Sequence, residues 1–333
     1  MTGEAYAPAL RPTTASETAE TTPITLAVSQ CLLGDEVRFD GGHKHDSYIT
    51  GTLGPLFRFI PLCPEVEANF GIPREAMRLE GDLQAPRLIS QRTRRDLTPM
   101  LAEANARILA RLADSELHGC ILKKNSPSCG MERVKVHAAS GMPDNKGVGL
   151  FARSLRDSMP LLPIEEEGRL HDPALRENFI ERVFVYHRWL TLLKHPSADK
   201  LIAFHTRHKF LLMAHSPEHM RRLGRLVGSL HKDQPIPYAA YGVLLMEAMN
   251  RLATTKKHRD VIMHLLGFCK NQLSKEEKEE MQELLAAFSQ GHLPLIVPIT
   301  LLNHYVRKFH PPYLAGQWYL HPHPAELRLR NHV

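Results

Sequence analysis

The hydrophobic positions of this chain change their period part-way along it. Up to about residue 164 they come as short apolar runs: ITLAVS over 24–29, LFRFIPL ending at Leu62, GCIL over 119–122 and MPLLPI over 159–164. Runs of this length bounded by Gly and Pro read as buried strands. Between the second and third, residues 98–117 carry apolar positions at helical spacing, with Thr98 as the expected cap and Pro99 behind it. Strands alternating with helical stretches predict a mostly parallel α/β sheet. In such sheets ligands sit beyond the carboxyl ends of the strands, where the strand order switches.

From residue 174 onward the period is that of a helix. Amphipathic stretches cover 174–193, 198–214, 217–230, 238–255, 259–273 and 275–289, with a seventh over 294–308. Ser274 and Glu277 form a capping box at the start of the sixth. The expected organisation is a disordered tail over 1–23, an α/β domain over 24–170 and a helical domain over 171–333. The tail is assigned on its Thr, Ala, Glu and Pro content.

Composition narrows the class. The chain is 43% apolar, but no run approaches the roughly 18 residues that span a bilayer. The first residues lack the pattern of a signal peptide, so a cytoplasmic location is expected. The net charge of +6 is unevenly spread. Residues 1–172 hold 20 Lys and Arg against 23 Asp and Glu; residues 173–333 hold 22 against 13, with 15 of the 20 histidines. That asymmetry predicts a polyanionic partner for the C-terminal half, against the plain reading of a solvated basic surface.

Five cysteines are too sparse for a disulfide framework in a reducing compartment. Cys31, Cys63 and Cys129 each lie just past a predicted strand, where a parallel sheet gathers them at one edge. Cys120, inside a strand, and Cys269, on a helix, read as small buried hydrophobes. Three thiols are too few to close a structural zinc site. They fit a centre with one open position: an iron–sulfur cube, or zinc with three thiolates and a water. Three unrelated cysteines is the remaining alternative. Nearby, Glu65 is placed to act as a general base, with Glu67 a weaker choice. Ser126 and Ser128 can hydrogen-bond a substrate or relay a proton. Lys123 and Lys124 can balance negative charge, and Asp40 is either a site residue or an Asx-turn acceptor. His205, His208 and His215 on one helix are assigned to packing or to hydrogen bonds with RNA rather than to a second metal.

The stretches VSQCLLGDEVRFDGGHK, LCPEVEANFGIPRE and KKNSPSCG resemble the TudS-type thiouracil desulfidases. AFHTRHKFLLMAH, further on, resembles the YbgA-like helical domain. Together they resemble the RudS-type RNA desulfidases, which remove sulfur from 4-thiouridine in tRNA. The resemblance covers nearly the whole chain beyond the tail. It implies that Cys31, Cys63 and Cys129 ligate a [4Fe–4S] cluster, and that Glu65 and a serine of S-P-S-C, Ser126 ahead of Ser128, assist catalysis. The expected reaction binds the thiocarbonyl sulfur to the open iron while water, deprotonated by Glu65, attacks the ring carbon. Uridine and sulfide result, without redox change. The expected partner is thiolated tRNA, held by Arg207, Lys209, Arg221, Arg222 and Arg225, with Lys256, Lys257 and Arg259. Two readings stand beside this one: a desulfidase of free thiouracil or thiouridine nucleosides, and a non-catalytic RNA-binding or stress-response protein with a structural metal site.

Overall fold

The computed structural model describes residues 23–138, 142–231 and 234–332. The expected tail lies outside the described residues except for Pro23. The first sheet is wholly parallel. It consists of β1 (Thr25–Ser29), β2 (Arg58–Leu62), β5 (Leu117–Leu122) and β8 (Ile164–Glu166), in the order β2-β1-β5-β8. β1 and β5 are buried along their whole length, as central strands covered on both faces must be. The register aligns Ser29 with Leu62, Val28 with Ile121 and Leu122 with Glu166, so the carboxyl ends of the four strands are level.

A second sheet combines β3 (Met77–Gly81), β4 (Pro86–Ser90), β6 (Val134–His137) and β7 (Pro143–Gly147) in the order β4-β3-β6-β7. Its central pair is parallel and its two outer pairs antiparallel. The sequence pattern does not announce it, because these strands are short and rich in charge; β7 (PDNKG) has no large apolar residue. Helices α1 (Pro64–Glu67), α2 (Thr98–Ala113) and α3 (Leu150–Ser158) complete this half. Two local expectations are corrected. Thr98 is the first helical residue rather than the cap of α2; its hydroxyl accepts the amide of Leu88 and ties the helix to β4. The run at 159–164 is largely a turn, and the strand follows it as the acidic IEE of β8.

The remainder is helical: α4 (Pro173–Lys194), α5 (Ala198–His215), α6 (Pro217–Gly228), α7 (Tyr238–Met249), α8 (Thr255–Gly267), α9 (Lys275–Ser289), α10 (Ile296–Phe309) and α11 (Pro312–Ala315). The capping box of Ser274 and Glu277 is present. The helix expected over 238–255 stops at Met249, because Thr254 caps the next one by accepting the amide of Lys257. Helix α4 serves both halves. Its Phe179, Ile180, Val183 and Phe184 pack with Leu26 and Val28 of β1, while Val185, Trp189 and Leu192 enter the helical core. A Cβ at Gly119 would lie 2.9 Å from Val183, which is how α4 packs down on β5. Trp189 stacks on Tyr241 at 5.3 Å, and both are buried, as are Tyr305 and Tyr319. No helix among the described residues is long and apolar enough to cross a membrane.

Candidate active site at the ends of the parallel strands

The chain runs from β1 to β2 on one side and returns through β5 on the other, so the order switches at β1. A cavity of about 310 Å³ opens beyond the carboxyl ends of these strands, where the topology favours a ligand. Cys31, Cys63 and Cys129 all line it, with Glu65, Ser126, Lys123 and Lys124.

Each thiol is placed by its own local structure. Cys31 sits in a 3₁₀ turn directly after β1, and its carbonyl accepts the amide of Lys44. Cys63 is the N-cap of α1, close to the amides of Val66 and Glu65. Cys129 lies on the loop after β5, which the rest of the half grips closely. Ser126 Oγ accepts the amides of Ser128 and Cys129. The first amides of α3 need acceptors and find them in the loop: Leu150 donates to the Pro127 carbonyl and Phe151 to that of Ser128. Gly149 makes this approach possible, since a Cβ there would lie 2.5 Å from the Ser128 carbonyl oxygen.

Three consecutive buried glutamates, two on β8 and Glu167 just past it, hold the same region. Glu165 pairs with Arg169 at 2.6 Å and Arg182 at 3.3 Å. Glu166 accepts the amide of Met131 at 2.6 Å. Glu167 pairs with the Lys123 ammonium and accepts the Lys124 amide at 2.7 Å. Lys123 is therefore a partnered residue of the wall, not a solvated surface lysine. The acidic triplet reads as a loop in sequence, which is why its role was not legible there.

Glu65 is the anchored carboxylate of the site. Its Oε2 receives Arg74 Nε at 3.0 Å and Nη2 at 2.5 Å, and its Oε1 receives the Ser128 hydroxyl at 2.9 Å. Arg74 is in turn fixed by the carbonyls of Val37 and Gly71. Arg74 escaped the sequence reading although it lies within the GIPRE stretch; only the fold brings it to Glu65. Ser128 is fully buried and reaches Glu65 rather than the cavity, whereas Ser126 lines the cavity. Glu67 points elsewhere, paired with Arg111 at 2.6 Å. Asp40 is an exposed Asx-turn acceptor for the Gly42 amide and pairs with Arg38.

The donor set fits an iron–sulfur cluster. Burial raises all three thiols: Cys31 to about 11, with the neighbouring Cys63 adding to the effect, Cys63 also upward, and Cys129 well above its ordinary value. Buried thiols of this kind ionise when they gain a metal. One zinc ion would draw three sulfurs to about 3.8 Å of one another. Among the described residues, the three thiols are not a group whose ligand atoms all lie within 4.8 Å; Glu177, Glu181 and His323 are. A cube presents a different iron to each of three cysteines and leaves the fourth iron open. Cys120 and Cys269 are buried away from this cavity. His205, His208 and His215 bind Tyr241, the Phe204 carbonyl, and Glu181 with the Arg251 carbonyl, respectively.

Residues 26–167 match the family model described as 2-thiouracil desulfurase, and residues 209–324 match a protein of unknown function, DUF1722. The chain belongs to the 2-thiouracil desulfurase family. The desulfurase match spans every thiol of the cavity together with Glu65, Arg74, Ser128 and the acidic triplet. Among its relatives, the uncharacterized protein YbbK of Bacillus subtilis is 32% identical over 110 residues, covering 32% of this chain and 72% of that protein. The uncharacterized protein YbgA of Escherichia coli is 27% identical over 153 residues, 45% of this chain and 90% of that protein. A solved [4Fe-4S]-dependent thiouracil desulfidase, TudS, is 25% identical and covers 46% of this chain and 97% of that one, with a TM-score of 0.38.

Proposed function

We propose that this desulfurase removes sulfur from 4-thiouridine in tRNA, giving uridine and sulfide. The observation that carries the reading is the convergence of three distant thiols on one cavity that also holds an anchored carboxylate. Cys31, Cys63 and Cys129 would hold a [4Fe–4S] cluster, which when bound supplies a soft Lewis acid with one iron open to sulfur.

The chain's own residues supply the remainder. Phe39, 41% exposed at the cavity, offers an aromatic face to a pyrimidine. Glu65 Oε1 keeps a lone pair beyond the one that takes the Ser128 proton. It accepts a proton from the water that attacks the ring carbon. The new C–O bond becomes the carbonyl as the C–S bond breaks, and sulfur leaves with both bonding electrons and the hydroxyl proton, as hydrosulfide. The carbon keeps its oxidation level, so no external oxidant or reductant enters. Lys44 and Lys124, beside the ion-paired Arg38, Arg74 and Lys123, leave the cavity wall net cationic and favour the departing anion.

The C-terminal half, with its excess of nine positive charges, supports RNA as the carrier of the thiolated base. Exposed Arg207, Arg221, Arg225, Lys256 and Arg259 on α5, α6 and α8 suit phosphates. Lys257 is partly committed, donating to the His215 and Leu252 carbonyls. The test is incubation of anaerobically reconstituted protein with bulk tRNA, following 4-thiouridine absorbance and sulfide release. Loss of the absorbance with matching sulfide is expected. Turnover of free 4-thiouridine alone would move the substrate to nucleosides.

A further inference from the structure

A second cavity, of about 370 Å³, adjoins the first across a shared wall formed by Asn125 and Pro127. The second sheet builds it. Along β6 the alternation is strict: Val134 and Val136 are buried against the core, while Lys135 and His137 face outward, preceded by Arg133. On the neighbouring β3, Leu79 pairs inward with Val136 and Glu80 pairs outward with His137, so Arg78 shares the outward face. Arg78, Arg133, Lys135 and His137 line the cavity, and no Asp or Glu does.

The acids nearby are already taken. Glu80 is held by Arg78 and Arg94, each at 2.6 Å, which keeps its carboxyl down at about 2. Glu132 holds Arg169 at 3.0 Å and meets Arg133 only at 4.0 Å. Arg133 extends into solvent with 83% of its side chain exposed. A cationic face therefore continues directly from the catalytic cavity, in a half of the chain whose overall charge is negative.

We propose that this outward face of β3 and β6 is the track for the RNA phosphates flanking the target nucleotide. A free base needs only the first cavity; a nucleotide within a strand carries its neighbours past the Asn125–Pro127 wall. The inference rests on the RNA reading above and places part of the RNA grip beside the chemistry, on the desulfurase half.

The test is the double variant Arg133→Glu/Lys135→Glu in the full chain, with iron content matched to wild type. It is assayed on thiolated tRNA and on free 4-thiouridine, and tRNA binding is followed against salt. The KM for tRNA should rise at least about tenfold, and the slope of log affinity against log salt should flatten by about one per lost contact. Turnover of the nucleoside should not change. Unaltered tRNA binding with the wild-type salt slope overturns the track and leaves the RNA reading standing, as does an equal loss on both substrates. A wild-type protein that neither binds nor desulfurates tRNA removes the RNA reading, and the track with it.

Discussion

The Ser128 hydroxyl donates to Glu65 Oε1 at 2.9 Å, joining residues 63 apart in sequence. The bond links the loop after β5, which carries Cys129, to α1, which carries Cys63. It orients the carboxylate relative to two of the three thiols at once. Ser128 is thus a positioning residue, and Ser126, which accepts the amides of Ser128 and Cys129, shapes the loop itself.

Ser128→Ala frees one carboxylate oxygen without touching the cavity wall. We expect kcat to fall on the order of tenfold or more, with KM and iron content near wild type. The loss of one hydrogen bond should cost about 1 kcal/mol in stability. Steady-state kinetics beside a thermal melt separate the two effects; an unchanged kcat removes Ser128 from the positioning of Glu65.

Arg74 holds Glu65 by two nitrogens and has only 4% of its side chain exposed. Arg74→Met leaves a nearly buried carboxylate without its counterion, which should cost roughly 3 kcal/mol or more along with turnover. Arg74→Lys should recover stability better than it recovers kcat, because an ammonium cannot reproduce the two-nitrogen grip. Denaturant titration and kinetics on the pair of variants check this; equal recovery of both would show that charge alone matters.

Gly149→Ala tests how the third thiol is placed. The added Cβ would meet the Ser128 carbonyl at 2.5 Å and the Gly130 amide nitrogen at 2.9 Å, all backbone atoms. The Cys129 loop must shift, so iron retention after anaerobic reconstitution should drop sharply while far-UV circular dichroism stays native. Full iron retention would mean that the loop tolerates displacement.

Strand ends were legible because β1, β2 and β5 are short apolar runs ending in Cys or close to one. The helices were legible through period and caps, as at Ser274. What stayed hidden depends on long-range pairing. β8 carries two of the three buried glutamates, whose cost is met by Arg169, Arg182, Lys123 and backbone amides up to 44 residues away. Arg74 gains meaning only beside Glu65. The strands of the second sheet are too short for their alternation to stand out, as in the four residues Val134–His137, and its cationic face is masked by the acids counted with it.

The helical half should be acid-labile. Burial pushes His258 down to about 3, with Arg330 adding to the effect, and His205 down to about 4, with Lys209 adding. Their contribution is complete above the ordinary value of 6.5 and is lost as pH falls towards those folded values. Glu181 adds to the loss only below the ordinary carboxylate value of 4.5: burial alone would raise it, but His215 and Arg330 hold it low. At pH 5 a fully buried neutral histidine costs about 2 kcal/mol of stability. The buried histidines therefore pull the melting temperature down between pH 7 and pH 5, against the opposite pull of Glu177, which burial and the neighbouring Glu181 raise to about 8; His258→Gln should lessen the downward pull, and an unchanged slope contradicts the assignment.

In the proposed reaction Cys31, Cys63 and Cys129 act as one ligand set. That arrangement is tested most directly by iron and acid-labile sulfide per chain, measured after anaerobic reconstitution of the wild type and of the three single Cys→Ser variants. About four irons and four sulfides are expected in the wild type, and a collapse of both in every variant. One zinc per chain, or a variant at any of the three positions that keeps its full iron and sulfide, would contradict it.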